Sequence, residues 1–444
     1  MVILLLLTAA APALFFIYDL WAVAASLFIV LPFALKKHRV HDGTAWLLIF
    51  ILAGIFVSAR SPASFDSFIF VLQSLLYAAF FIVGTEAPQK VTAVPLAALA
   101  LVPFMSASGV NNPNIISSYA GLLFVLLMLV PFARKLKYIL GALALFFIIL
   151  NASWVVLLVL ASAGILAGKR KYLPLIPLFA LMALALNFPS ASDRFFWWRE
   201  ALEIFAENPM GIGFFASKYY LPATAAQNTL FVHSFLLQII AEGGILCLIP
   251  AALALRAVLK NRMGGKYDFA VYAVLLLGAL DLSYHIPAHG MLAAFIIGLT
   301  QKRTGIPLKQ EKVCSAVFKI LFVIAAALSL MMFHTSRVLA GGAVPLFSGD
   351  APRAAAAFEE AFEYPAYPAL LSAKAAAYSI IAERDNLPDL RKRSFELQEK
   401  ALPAKNARIP AYRDFENAVK LDDLSVLRNS CMKILFINAI RPRH

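Results

Sequence analysis

Apolar residues occur in long runs separated by short polar clusters. A helix needs about 20 apolar residues to cross the hydrocarbon core, with about 17 to 25 as the working range. On that measure, membrane spans are predicted near 2–18, 20–35, 44–59, 67–84, 92–107, 115–133, 138–150, 152–168, 172–188, 233–256, 268–284, 286–300 and 314–336. The fold class is therefore all-α, a polytopic membrane protein with about 12–13 spans. Asp19 and Asn151 each divide a long apolar run at a single polar point, so the divisions there carry the count. The N-terminal run lacks the basic flank of a cleavable signal and is expected to stay as the first span.

From about Ala340 the pattern changes. Ala354 to Phe362 and Ala369 to Ala382 place apolar positions at helical spacing, bounded by Pro365, Pro368, Pro388 and Pro403. The stretch from Ala351 to Glu383 resembles the second helix of one tetratricopeptide unit followed by the first of the next, although no 34-residue period repeats. Residues 1–339 thus form a membrane domain with a large loop at 189–232, and residues 340–444 form a helical tail.

Composition strengthens this division. Hydrophobic residues make up 61% of the 444 positions and charged residues 14%, against about 45–50% and 25% in soluble domains, so a water-soluble enzyme is excluded. The net charge of +14 could suggest nucleic acid, but the tail is nearly balanced and the excess lies in the membrane part. There the basic clusters are Lys36-Lys37-His38-Arg39, Arg134-Lys135-Lys137, Lys169-Arg170-Lys171, Arg256 with Lys260, Arg262 and Lys266, and Lys302-Arg303 with Lys309 and Lys312. All fall on alternate loops, which the positive-inside rule assigns to the cytoplasm. A nucleic-acid partner is disfavoured, and loop 189–232 and the tail are expected outside. Cys247, Cys314 and Cys431 stand too far apart in sequence to suggest a zinc site or a disulfide framework.

Most of the polar chemistry lies between Ser190 and Ile245. The segment Asp193 to Glu207 places Phe196, Ala201 and Phe205 near one face, as in a short interfacial helix with Trp197 and Trp198 at headgroup level. Asn208-Pro209 and Gly211-Ile212-Gly213 end that helix; the two glycines suit a tight turn better than a phosphate loop. His233 stands at the outer mouth of a span after Gln227-Asn228-Thr229, where a near-neutral imidazole could take a proton from a hydroxyl nucleophile or serve as an ordinary hydrogen-bonded residue. Glu242 lies within the following span, where an ionisable group faces a cavity or a partner.

The order Arg194, Trp197 or Trp198, Arg199, Ala201-Leu202, Asn208-Pro209, Gly211-Ile212-Gly213, then His233 followed by Leu237, Gln238, Glu242 and Gly243-Gly244, resembles the signature loop of the O-antigen ligase superfamily. Asn111 to Leu123 is similar to that family's Asn-Pro-Asn element, and Asp281 to Leu299 to its late Asp and Pro span pair. The resemblance implies en bloc transfer of a glycan from an undecaprenyl diphosphate carrier to an acceptor hydroxyl at the bacterial inner membrane, without metal, cofactor or nucleotide sugar. The acceptor would be lipid A core, a growing polysaccharide or a protein, and membrane lipids surround the chain. It assigns His233 to activation of the acceptor, and Arg194 or Arg199 to the diphosphate, which a guanidinium clamps bidentately.

One departure stands out: where many relatives carry a Ser-Arg pair, this chain reads Asn151-Ala152-Ser153-Trp154, so either Arg60 or Lys218 supplies the charge or part of the diphosphate site has been lost. Two other functions compete. A lipid-linked-glycan flippase would show polar residues at mid-membrane depth, often with inverted repeats, whereas the spans read as mostly apolar. A non-catalytic relative acting as an assembly factor would fit the missing arginine. The tail could hold an acceptor or a partner protein on a concave surface of stacked helices.

Overall fold

In a computed structural model, the protein is described over residues 20–36, 38, 41–87, 113–131, 134–151, 153–168, 177, 194–220, 232–280, 283–302, 308–362, 366–402 and 410–438. The spans expected near 2–18, 92–107 and 172–188 lie outside the described residues, as do Arg39, Lys169-Arg170-Lys171, Gln227-Asn228-Thr229, Asp281 and Arg303. Each remaining predicted span coincides with a helix: Leu20–Ala34, Asp42–Arg60, Ser64–Glu86, Pro113–Leu129, Arg134–Leu150, Trp154–Leu166, the pieces between Phe235 and Asn261, Lys266–Leu280, Pro287–Leu299 and Leu308–Phe347. Among the described residues, four helices are long and apolar enough to cross a membrane, Asp42–Arg60, Ser64–Glu86, Phe235–Asn261 and Gln310–Phe347. The division at Asn151 is real. Its side chain folds back to donate to the Phe147 carbonyl at 2.8 Å and closes one helix before Trp154 opens the next.

The Ser64–Glu86 helix is the centre of the bundle, buried along nearly its whole length. It lies against Pro287–Leu299 at a glycine crossing. A Cβ on Gly84 would sit 2.3 Å from the Phe295 carbonyl, and one on Gly298 would sit 2.2 Å from the Phe81 carbonyl. Small residues let two helix backbones approach in this way where lipid supplies no hydrophobic drive between helices.

The interior is more polar than the apolar runs suggested. Gln73, Ser117, Tyr119, His285 and His289 are all buried, with the Tyr119 and His289 rings 5.2 Å apart.

Among the described residues, the basic clusters that include His38, Lys137, Lys266 and Lys302 meet at one end of the bundle. There His38 Nδ1 pairs with Glu86 at 3.1 Å, Lys266 donates to the Leu129 carbonyl at 2.8 Å, and Lys137 donates to the Met128 carbonyl at 2.9 Å. The Met263 and Lys302 amides cross-link the ends of neighbouring helices through the Thr300 and Asn261 carbonyls. At the opposite end, Ser61 and Ser64 meet the 211–219 segment and the tail.

Leu308–Phe347 is a single helix of 40 residues, so the change of composition near Ala340 falls inside it without a break. Gly342 rests on the Phe358 ring, which is where the tail begins to pack. The tail consists of Ala351–Glu359, Pro368–Asp385, Pro388–Ala401, Pro410–Leu421 and Leu424–Asn438. Both expected tail helices are present, the first ending at Glu359 rather than Phe362. Asp350 caps the first through the Arg353 amide, and Pro368 and Pro388 open the next two, where a missing N–H costs nothing. Asn386, in the left-handed region at φ +51°, turns the chain between them. Phe358, Leu370, Leu427, Ile434 and Leu435 share one apolar core with Ala201, Ile204, Ile212, Tyr219 and Val232 of the 194–232 region. The tail is therefore packed onto that region.

Gly84→Ala and Gly298→Ala should each lower thermal stability by about 1–3 kcal/mol, the ordinary cost of overpacking. Gly341→Ala, whose Cβ would meet nothing within 4 Å, should be neutral or slightly stabilising. Thermal unfolding of the purified variants checks all three; an undisturbed Gly84→Ala would show that the crossing is looser than described.

Candidate functional site

The helix over 194–207 buries Trp197, Ala201 and Ile204, which are spaced i, i+4, i+7. This corrects the face expected from Phe196, Ala201 and Phe205, since both phenylalanines are only half-buried. It also changes the role of Trp197. Instead of anchoring at headgroup level, its indole stacks on the His233 imidazole, with centroids 4.4 Å apart and planes inclined by 21°. His233 itself stands at φ +56°, a left-handed backbone that non-glycine residues rarely adopt. Such outliers persist where the surroundings over-determine them, and they cluster at functional sites. Ser234 follows as the N-cap of the next helix, its side chain accepting from the Leu237 amide at 3.3 Å.

That next helix is broken. Ile239–Gly243 forms a π-turn, and Gly244 then takes φ +60° and ψ −165°, a conformation open essentially to glycine alone. The break receives the 208–217 loop. The Gly213 amide donates to the Glu242 carbonyl at 3.0 Å and the Ile245 amide to the Pro209 carbonyl at 2.9 Å. A Cβ on Gly211 would stand 2.5 Å from the Glu242 carbonyl oxygen, so the Gly-Ile-Gly sequence serves close backbone contact, as a plain turn would. The Glu242 side chain, fully buried, accepts from the Phe215 amide at 2.9 Å and the Ser217 amide at 3.0 Å. Phe215 lies in the left-handed region at φ +57°, and the bend helps turn these amides towards one carboxyl group. Gln238 ties the two halves together: its Nε2 donates to Ser217 Oγ at 3.0 Å and its Oε1 accepts from the Val232 amide at 3.0 Å.

A second carboxyl group, absent from the sequence-based candidates, anchors the far side of the loop. Asp66, in the first turn of Ser64–Glu86, accepts from Lys218 Nζ at 3.0 Å and from the Tyr219 hydroxyl at 2.7 Å. Ser61 and Ser67 bracket it, donating to the Ile212 and Phe214 carbonyls at 2.9 and 2.8 Å.

The candidate cations are placed very differently. Arg194, half-buried and one turn before Trp197, donates through Nη1 to the Leu280 carbonyl at 2.7 Å, at the C-terminal end of Lys266–Leu280. Arg199 is exposed, lies over the Phe196 ring and pairs with Glu200 at 3.1 Å and Glu203 at 3.5 Å. Arg60 is exposed at the end of its helix, over the Phe56 ring. Lys218 is nearly buried with Asp66. Arg194 thus stands one helical turn before Trp197, which stacks on His233, and this run is the seam of the site, while Lys218 has a separate anchoring contact. Nothing in the composition marks Asp66 or the Trp197–His233 stack, because each joins segments far apart in the chain. Among the described residues no cluster of His, Cys, Asp and Glu is arranged to hold a metal ion.

Glu242→Gln would set a side-chain NH2 group against one of two backbone N–H donors. It should cost about 1–3 kcal/mol of stability and speed amide exchange at Phe215 or Ser217. Native exchange at both amides would mean that the loop is held by other contacts.

Residues 97–252 match the family model for O-antigen ligase. That segment carries Arg194, Arg199, Lys218, His233 and Glu242, while Asp66 and the tail lie outside it. No curated protein matches the chain in sequence. The match falls on the loop whose seam and helix break have just been described, covers about a third of the chain, and supports the resemblance to the O-antigen ligase superfamily.

Proposed function

We propose that this protein is an O-antigen-ligase-like glycosyltransferase that moves a glycan from undecaprenyl diphosphate to an acceptor hydroxyl. The observation that carries this reading is the seam of Arg194, Trp197 and His233 within the family-matched segment. In the reaction, the acceptor O–H bond breaks and its proton passes to His233. The acceptor oxygen bonds to the anomeric carbon as the bond from that carbon to the diphosphate oxygen breaks. Undecaprenyl diphosphate departs with the electron pair.

Stacking against Trp197 fixes the imidazole plane, so less of its freedom has to be lost as the reaction proceeds. Arg194 spends one donor on the Leu280 carbonyl, and the rest of its planar fork suits a phosphate oxygen. Arg199 would have to leave Glu200 and Glu203; Glu200 is largely buried, whereas the exposed pair with Glu203 is worth only about 0–1 kcal/mol and a diphosphate can displace it. Arg60 is similarly accessible. Lys218 differs, because separating it from Asp66 would strand a buried carboxylate, so it supports the loop in this reading.

The protein is read as a multi-pass bacterial inner-membrane protein, with the gathered basic loops cytoplasmic and the seam and tail extracytoplasmic. The acceptor is a lipid, polysaccharide or protein hydroxyl. The tail's helical hairpins, tetratricopeptide-like in sequence, would face it. The buried Gln73 amide and Tyr119 hydroxyl, which have no hydrogen-bond partner among the described residues, are the feature that favours the flippase alternative.

His233→Ala should lower turnover about a hundred- to ten-thousand-fold, the usual contribution of general-base help, with donor binding retained. His233→Gln should be nearly as slow. Release of undecaprenyl diphosphate from a lipid-linked oligosaccharide by purified protein is the measurement. Normal turnover of His233→Ala would remove the base, and translocation without transfer would favour the flippase. Arg194→Ala should weaken donor use, with Arg194→Lys restoring only part of it.

A cysteine at exposed Ser348 should label from outside intact spheroplasts, and one at Lys260 only after permeabilisation. The reverse pattern would invert the orientation. Ser217 is unsuitable for this purpose because it is fully buried.

A further inference from the structure

Every polar contact needed to connect the tail to His233 is in place. At the tail end, the Ala366 amide donates to Ser64 Oγ at 2.8 Å, and the Phe65 amide donates to the Ala366 carbonyl at 3.0 Å. The Tyr367 ring stacks on Phe65, with centroids 4.0 Å apart and planes 11° from parallel. Pro368 disfavours a helical backbone at Tyr367, which is accordingly extended at φ −116° and ψ 101°. The strap therefore lies along the start of Ser64–Glu86. The packing around the Tyr367 phenol, and then the Asp66 charge, raise its pKa, so the ring stays neutral beside that carboxylate.

The next residue, Asp66, holds Lys218 and Tyr219. Ser217 precedes them and accepts from Gln238, whose other end holds the Val232 amide. Val232 leads directly into the left-handed backbone of His233 and its stack on Trp197. Alongside this chain runs the shared apolar core of Tyr219 and Val232 with Ile434 and Leu435 of the last tail helix.

We infer that the Ala366-Tyr367 strap is a latch that sets the position of His233, so that the tail is a working part of the transferase site; this rests on the proposed transferase reading. The strap touches none of the reacting atoms. Tyr367 is a positioning residue, acting through Phe65, Asp66, Ser217 and Gln238. The latch also lies outside the segment that matches the family, so a ligase loop of this kind draws on support from elsewhere in the chain.

The test uses the full chain in detergent or nanodiscs and compares Tyr367→Ala, Tyr367→Phe and Ser64→Ala. Amide exchange is followed at 215–219 and 232–238, with kcat and donor KM measured in parallel. Tyr367→Ala should speed exchange in both segments by about tenfold or more, leave the Pro287–Leu299 helix unchanged, and lower kcat with little change in donor KM. Tyr367→Phe keeps the stacked ring and should behave as wild type. Ser64→Ala removes one hydrogen bond and should shift exchange and kcat several-fold in the same direction. If Tyr367→Ala does not fold, Ser64→Ala decides.

Unchanged exchange in 232–238 overturns the latch. So does faster exchange with kcat unaltered in a protein that His233→Ala inactivates, because the strap would then steady the loop without positioning the base. If His233→Ala keeps full activity, the transferase assignment of that residue fails on its own, and the exchange data alone judge whether the strap holds the loop.

Discussion

A carboxyl group buried where a membrane-spanning helix breaks is costly unless its oxygens are met, and Glu242 meets that condition with the backbone amides of Phe215 and Ser217. The requirement runs both ways. The amides belong to an irregular loop that enters the helix bundle, and irregular backbone at that depth needs partners from the protein itself. Gly243 and Gly244 open the helix enough to admit the loop, and Gly211 and Gly213 let it pass within contact distance of the opening. A Cβ at any of these four positions would stand closer than 3.0 Å to neighbouring atoms. Side chains on both sides of the gap then stand at fixed heights, among them Gln238 and, through Val232, His233.

The support for this arrangement is divided along the chain. The family-matched segment supplies the seam and the helix break, whereas Asp66, Ser61 and Ser67 come from an earlier helix and its approach. Asp66 resembles Glu242 in its logic: one carboxylate satisfied by two donors, here a lysine and a tyrosine of adjacent sequence. Breaking a buried ion pair by removing one member is costly, about 3–5 kcal/mol. The Lys218 contact therefore restrains the loop more firmly than the exposed pairs of Arg199 hold that side chain.

Much of the architecture was legible in the sequence, because membrane spans announce themselves by run length and helix ends by proline and asparagine. Asn151, Pro368 and Pro388 mark boundaries that the structure shares. The composition change near Ala340 does not mark a helix end, since a helix can leave an apolar environment without ending, and packing of Gly342 on Phe358 overrides the weak helix propensity of the glycines. Within the site, the turn at Gly211 to Gly213 was readable from residue type. The buried face of 194–207 was not, because Trp197 is amphipathic and a sequence alone cannot say whether its ring meets lipid headgroups or an imidazole 36 residues later in the numbering. Asp66 was invisible for the same reason: its meaning lies in two partners that the fold brings from far away.

The missing Ser-Arg arginine can be weighed on this geometry. At the turn that replaces it, Asn151 is engaged with its own helix through Phe147, and the Ser153 amide donates to the Ile148 carbonyl, so local hydrogen bonds serve to close the turn. In the proposed reaction, positive charge for the diphosphate would come from elsewhere. Lys218 is neutralised by Asp66, and Arg199 stands between two glutamates on an exposed face. Arg194 has no acidic partner among the described residues; among them it donates to a helix-terminal carbonyl, whose partial negative charge is smaller than a carboxylate's. Among Arg194, Arg199 and Lys218, Arg194 is thus the one without a carboxylate partner among the described residues. In the proposed reaction, the guanidinium that would receive the departing diphosphate is Arg194, a single helical turn from the tryptophan stacked on the proposed base.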